Sequence, residues 1–492
     1  MLFNSLQFLL FFPAVLLVFH LIPKRYPVAV KTVWLLVCSY YFYMCWNAAY
    51  ALLMLFSTAV TWFCGLCMDR VRRDGGADTA LRWILFGGIG LNLAVLFFFK
   101  YFHFFWENLS ALTGLVGIPL PDSGWDLLLP VGISFYTFQA VGYAVDVYRG
   151  DIPAERSFLR YALFVSFFPQ LVAGPIERSG NLLSQLAEMP RPAWKQMRHG
   201  FLVMLWGFYL KMVIADRAAV FVDTVYGAPE AYPGAYIVVA TVLFAFQIYC
   251  DFAGYSTIAM GASEMLGIRL MQNFETPYFS LSVREFWRRW HVSLSSWFRD
   301  YLYIPLGGSR AGTLRKYRNL LLVFFFSGLW HGAQWTYVIW GLLNGLYQIA
   351  EDVLGKLSRK NNAQSLASRL VHMLVTFVLI DLTWVFFRAE GVGQAFAMLK
   401  SVVTAGNWWV LFDGSLYTCG LAAAELRVLL LSLALLFAAD LFAYRRIRIS
   451  DVIERQPRWF RWPVYLAAIL TIVVFGVWGS GYSAAGFIYF QF

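Results

Sequence analysis

The sequence predicts an all-α, polytopic integral membrane protein with about 11–12 spanning helices plus re-entrant and interfacial pieces. Three observations lead there. Of its 492 residues, 60% are hydrophobic and 19% aromatic while only 14% are charged, against about 25% charged in a soluble globular domain. Mean hydropathy is +0.61. Apolar runs of the length a bilayer core demands, about 20 residues each, recur along the whole chain. In lipid the backbone must satisfy its own hydrogen bonds, so such runs are helices. A water-facing enzyme is excluded.

In chain order the runs fall at 6–22, 28–46, 49–68, 83–106, 127–148, 199–215, 235–262, 319–334, 335–354, 370–389, 428–444 and 463–480. The first lacks the basic leader and small-residue cleavage site of a signal peptide, so it is expected as an uncleaved span. Six basic loops, 24–31, 70–82, 149–198, 284–318, 356–369 and 445–461, hold 32 of the 39 Lys and Arg and are expected on the cytoplasmic side. Alternation then places both termini outside, together with the mostly acidic connections 107–126, 216–234 and 390–427. The net charge of +11 follows from the same bias, and no nucleic-acid partner is needed to explain it. Residues 158–175 are apolar but interrupted by Pro169, Gly174 and Pro175, which suits a re-entrant element. Residues 267–316 are aromatic, basic and proline-containing at once, which suits an interfacial funnel. No repeat or low-complexity linker is visible, so 1–492 is read as one domain. Five of the six cysteines lie in apolar runs and behave as small hydrophobes. The pair Cys64 and Cys67 is read the same way.

Zinc-protease, P-loop and serine-hydrolase motifs are absent, so those chemistries lack their parts. Histidines remain. His20, His103, His199 and His372 sit at the ends of runs as interfacial anchors. His331 lies between small residues at the junction of two apolar runs, at membrane depth, where ionisable groups are costly and usually functional. A buried cation is disfavoured, so the neutral, proton-accepting imidazole is expected, the form a general base for an alcohol needs. Its bland alternative is a histidine bonded to a neighbouring helix. His291 follows Trp287, Arg288, Arg289 and Trp290 and precedes Arg299 and Asp300. Guanidinium groups fork onto phosphate and aromatics offer stacking faces, so this stretch suits an anionic, partly apolar donor such as coenzyme A or a phosphopantetheine arm. Positive-inside anchoring is the alternative. Asp251, within an apolar run, needs a cation, with Arg288 or Arg299 as candidates, and is read as scaffold. Lys211 is expected to snorkel.

With those segments in view the chain resembles the membrane-bound O-acyltransferase family, in its bacterial polysaccharide (alginate-type) O-acetyltransferase branch. The likeness runs through Leu129 to Phe135, Phe168 to Ile176, Asp251 to Ser256, Asn273-Phe274 with Pro277-Tyr278, Arg284 to Gly308 and Gly328 to Gly332. It covers about 1–350, the spans of 370–480 matching only in general character. The resemblance implies a ring of helices around a central tunnel, with His331 in its middle as base and His291 on the cytoplasmic side. Trp287, Arg288, Arg289, Trp290, Arg299, Trp330 and Asn273 are then candidate donor contacts, and Asp251, Asp300 and Asn344 structural polar residues. No metal or bound cofactor is expected. Acetyl-CoA or an acyl carrier protein would bring a cytosolic thioester, and a cell-surface polysaccharide or an extracytoplasmic relay partner would accept the acyl group. Where relatives often carry W-G-x-x-H-G, this chain has Trp340-Gly341-Leu342-Leu343-Asn344-Gly345, and Asn344 cannot exchange a proton. D-alanyl transfer toward teichoic acid is the nearest alternative, and transport the alternative from another class.

Overall fold

A computed structural model describes residues 1–477 except 24, 119, 122–123, 126–127, 311 and 358–364. Every regular element among the described residues is helical, as lipid requires of a backbone that cannot bond to water. Among the described residues six helices are long and apolar enough to cross a bilayer: Tyr50–Arg73, Asp78–Leu115, Ala235–Met265, Leu366–Arg388, Ala423–Tyr444 and Arg458–Phe475. Leu6–Leu21 and Val28–Met44 are shorter apolar helices. All eight coincide with expected runs. The other four runs are also helical, over Ile133–Arg149, Trp194–Phe208, Thr313–His331 and Trp335–Leu357, but carry polar residues inward. The end of the 463–480 run lies outside the described residues.

Burial separates two kinds of span. Ala235–Met265 is 78% buried, whereas Ala423–Tyr444 and Arg458–Phe475 are 22% and 11% buried. Leu430, Leu431, Leu435 and Phe437 point outward on the former of these peripheral helices, the composition a lipid-facing surface needs.

The contacts form two compact units. The first is Met1–Gly200 with Ala259–Met271. Here the 158–175 run breaks as expected, into Phe158–Ser166 and Phe168–Leu171. The break frees backbone groups, and buried side chains take them up. Ser39 Oγ accepts the Phe168 N–H at 3.1 Å, and the amides of Gln139 and Gln170 donate to the Phe164 carbonyl at 2.6 and 2.9 Å.

The second unit is Phe201–Ile258 with Gln272–Phe492. After Trp194–Phe208 the chain widens into a π-helix, Tyr209–Ala215, and continues as Asp216–Gly227. Asp216 was expected in an outer connection, but it is helical and 5% exposed. Gly207 and Gly254 lie against each other, and a Cβ on either would meet the other's carbonyl oxygen. That approach lets Lys211 reach Asp251 at 2.6 Å and Asp216 at 2.8 Å. The expected partners of Asp251, Arg288 and Arg299, are therefore wrong. The expectation that Lys211 snorkels is wrong too, since it is 3% exposed and a buried carboxylate holds it there.

Candidate active site

His331 is the last residue of Thr313–His331, which returns through Gly332 into Trp335–Leu357. The two helices touch at backbone distance, because Gly328 faces the Tyr337 carbonyl and Gly341 faces the Phe324 carbonyl. Small residues of this kind let helices pack closely. His331 is 3% exposed, with aromatic rings on several sides: Trp330 at 4.9 Å, Trp340 at 5.0 Å and Phe387 at 5.3 Å between centroids. Each meets it edge to face, the geometry ring quadrupoles favour.

His291 comes from a segment of short helices between the spans. Val283–Arg289 starts at Ser282, whose hydroxyl accepts the Glu285 N–H at 3.0 Å. Glu351 accepts the N–H groups of Val283 and Arg284, so two backbone donors of that first turn are satisfied from the hairpin. His291 then precedes Val292–Phe298 in a left-handed conformation, φ 45° and ψ 54°. Its ring is 1% exposed, meets Phe252 at 4.6 Å, and stands 6.4 Å from His331 between centroids. This segment does not span, and burial pushes the His291 imidazole down to about 3, so it is neutral at ordinary pH.

The candidate donor residues divide by burial. Trp290 and Trp330 are buried at 1% and 3% exposure, and Trp287 at 8%. Trp330 touches His291 at 5.7 Å. Arg289 pairs with Glu285 at 2.7 Å and Arg299 with Asp300 at 2.7 Å, which places Asp300 as a local counter-ion. Arg288 is exposed. Asn273 is 1% exposed and lies beside His291, its Oδ1 accepting the Ser293 N–H at 3.2 Å.

Asn344 is satisfied by hydrogen bonds alone. Its Oδ1 accepts from Trp287 Nε1 at 3.1 Å, and its Nδ2 donates to the Trp340 carbonyl at 2.9 Å and Thr383 Oγ1 at 3.3 Å. It joins the two histidine segments through tryptophan: Trp287 meets Trp340 at 5.5 Å, and Trp340 meets His331.

Phe252, Trp340, Trp384 and Phe387 were given no place in the site from sequence. Trp384 stacks on Trp340 at 5.8 Å and packs on Trp290 at 5.2 Å. In a chain with 93 Phe, Trp and Tyr, an aromatic at helical spacing carries no mark of its role. The only available signal for Phe252 was its place beside Asp251.

A family model described as the membrane-bound O-acyltransferase family matches residues 152–387. The relative named "Probable alginate O-acetylase AlgI" from Pseudomonas putida is 37% identical over 501 residues, covering all of both chains. Its namesake from Pseudomonas aeruginosa is 39% identical, covering 83% of this chain and 76% of that one. A peptidoglycan O-acetyltransferase of Helicobacter pylori is 35% identical, covering 75% of this chain and 73% of its own.

Proposed function

Since the chain belongs to the membrane-bound O-acyltransferase family and is an integral membrane O-acyltransferase, we propose that it moves an acetyl group from a cytosolic thioester to a hydroxyl of a cell-surface polysaccharide. The acetyl group reaches the acceptor directly or through an extracytoplasmic relay partner; acetyl-CoA or a carrier-borne phosphopantetheine supplies the thioester. His331 is the general base. It takes the acceptor hydroxyl proton as the oxygen attacks the thioester carbonyl carbon; the C–S bond breaks, the ester C–O bond remains, and the imidazolium returns the proton to the departing thiolate. No covalent enzyme intermediate is required. General-base help of this kind is worth about 10²–10⁴-fold, and holding both reactants in a narrow passage contributes the rest. His291 orients the donor or assists the thiolate.

The observation that carries this reading is the pair of buried imidazoles 6.4 Å apart, one ending a helix of the hairpin and the other on a segment of short helices with arginines beside it. Both can touch one thioester group. The alginate and peptidoglycan acetylases named above support acetyl transfer to polysaccharide. Membranes holding His331→Ala are expected to form no labelled ester from acetyl-CoA, with protein abundance and insertion unchanged. Unaltered esterification would overturn the role of His331, and ester formation only from an aminoacyl-loaded carrier would overturn the acetyl assignment.

A further inference from the structure

His291 holds a conformation that an L-residue adopts reluctantly. The left-handed region costs about 1–2 kcal/mol for a residue with a Cβ, and it persists where surrounding structure imposes it. Asn273 is positioned to impose it. The Asn273 carbonyl accepts the Val292 N–H at 3.0 Å, and its side-chain Oδ1 accepts the Ser293 N–H at 3.2 Å. Those are the first two backbone donors of Val292–Phe298, which an N-cap side chain usually helps to satisfy. His291 occupies the N-cap position and makes no such bond. Asn273 thus caps the helix from another strip of chain.

The same side chain reaches the long helix. Asn273 Nδ2 donates to Ser256 Oγ at 3.1 Å, one helical turn beyond Phe252, whose ring meets His291 edge-on. One amide therefore ties the backbone that carries the imidazole to the helix that contacts it. Neighbouring bonds brace the strip: the Glu275 N–H donates to the Arg289 carbonyl at 2.9 Å, and the Arg289 guanidinium donates to the Glu275 carbonyl at 3.1 Å and Thr276 Oγ1 at 3.2 Å. With 1% exposure and both polar ends engaged, Asn273 is placed to hold protein rather than to meet a donor.

We infer that Asn273 is the positioning residue for His291, a surrogate helix cap that keeps it left-handed and aims its ring toward His331. The inference rests on the proposed role of His291. Kinetics on the purified full-length enzyme test it. Asn273→Ala is expected to lower kcat on the order of 10²-fold, as a displacement near 1 Å can, with donor KM changed by less than about twofold. Asn273→Asp keeps an acceptor for the Ser293 N–H and can accept from the Ser256 hydroxyl, so it is expected to recover about tenfold of that loss. A raised donor KM with kcat kept would make Asn273 a donor contact. Equal losses in Ala and Asp, or no loss, would also overturn the inference. If Asn273→Ala fails to fold, Ser256→Ala decides: it removes the acceptor of the Asn273 Nδ2 bond and leaves both Asn273 bonds to the His291 helix in place, and an unchanged kcat there overturns the inference. A fully active His291→Ala would instead refute the role of His291 itself.

Discussion

A histidine that is 1% exposed has exchanged its hydration for aromatic neighbours, and pH reveals the cost. Burial depresses the folded-state value of His291 from 6.5 to about 3. Between those values the unfolded chain binds a proton that the folded chain refuses. Stability from this group is therefore present above about pH 6.5 and falls as pH drops toward 3, by up to about 1.4 kcal/mol per pH unit. Melting temperatures of the wild type in detergent are expected to fall more steeply from pH 7 to 5 than those of His291→Asn, whose side chain does not titrate and whose backbone tolerates the left-handed region. Parallel curves would refute the depressed value. At this scale sequence reading found the ionisable residues but not their partners. Asp251 plainly needed a cation. That the cation is Lys211 depended on two glycines, Gly207 and Gly254, bringing two helices together, and nothing in a linear string reports that approach.

Among the elements, the hairpin of Thr313–His331 and Trp335–Leu357 was legible because two apolar runs meet at a histidine flanked by small residues. The break at Phe167 was legible too, because proline removes a donor and clashes with the preceding turn. The π-helix at Tyr209–Ala215 was not, since one extra residue in a helical turn leaves no compositional trace. The hairpin glycines now carry a definite expectation. A Cβ on Gly341 would meet the Phe324 carbonyl oxygen, forcing apart the two helices that carry His331 and Trp340, about two turns before His331. Overpacking of this kind costs about 1–3 kcal/mol. Gly341→Ala is expected to melt at a lower temperature and to lose more activity than that destabilisation alone explains, whereas Gly355→Ala, where a Cβ has open space, should be neutral in both assays. Equal behaviour of the two variants would remove the hairpin contact from the account.

For the whole molecule, composition alone settled the class, because 14% charged residues cannot clothe a protein of this size in water. Sidedness rests on the distribution of Lys and Arg. Single cysteines placed at Asp413 and at Ser450 in a cysteine-free background provide the check. Asp413→Cys is expected to react with an impermeant maleimide on intact cells and Ser450→Cys only after permeabilisation. The opposite pattern would invert the expected topology and, with it, the side proposed for entry of the thioester. The helix Leu366–Arg388, expected from sequence to match only in general character but covered by the family model, which runs to residue 387, supplies Thr383, Trp384 and Phe387 to the surroundings of both histidines. Their contribution was invisible because lipid-facing and inward-facing aromatics look alike in a chain so rich in them.

The rings packed edge-on around His331 also bear on economy of donor use. On the proposed mechanism a thioester beside that imidazole would meet hydrocarbon where water would otherwise stand, and a base that could activate water would be denied it. Futile hydrolysis would then be suppressed by the packing itself. One thiol should be released for each ester made, and thiol release in the absence of acceptor, counted with a chromogenic disulfide, would expose a leak.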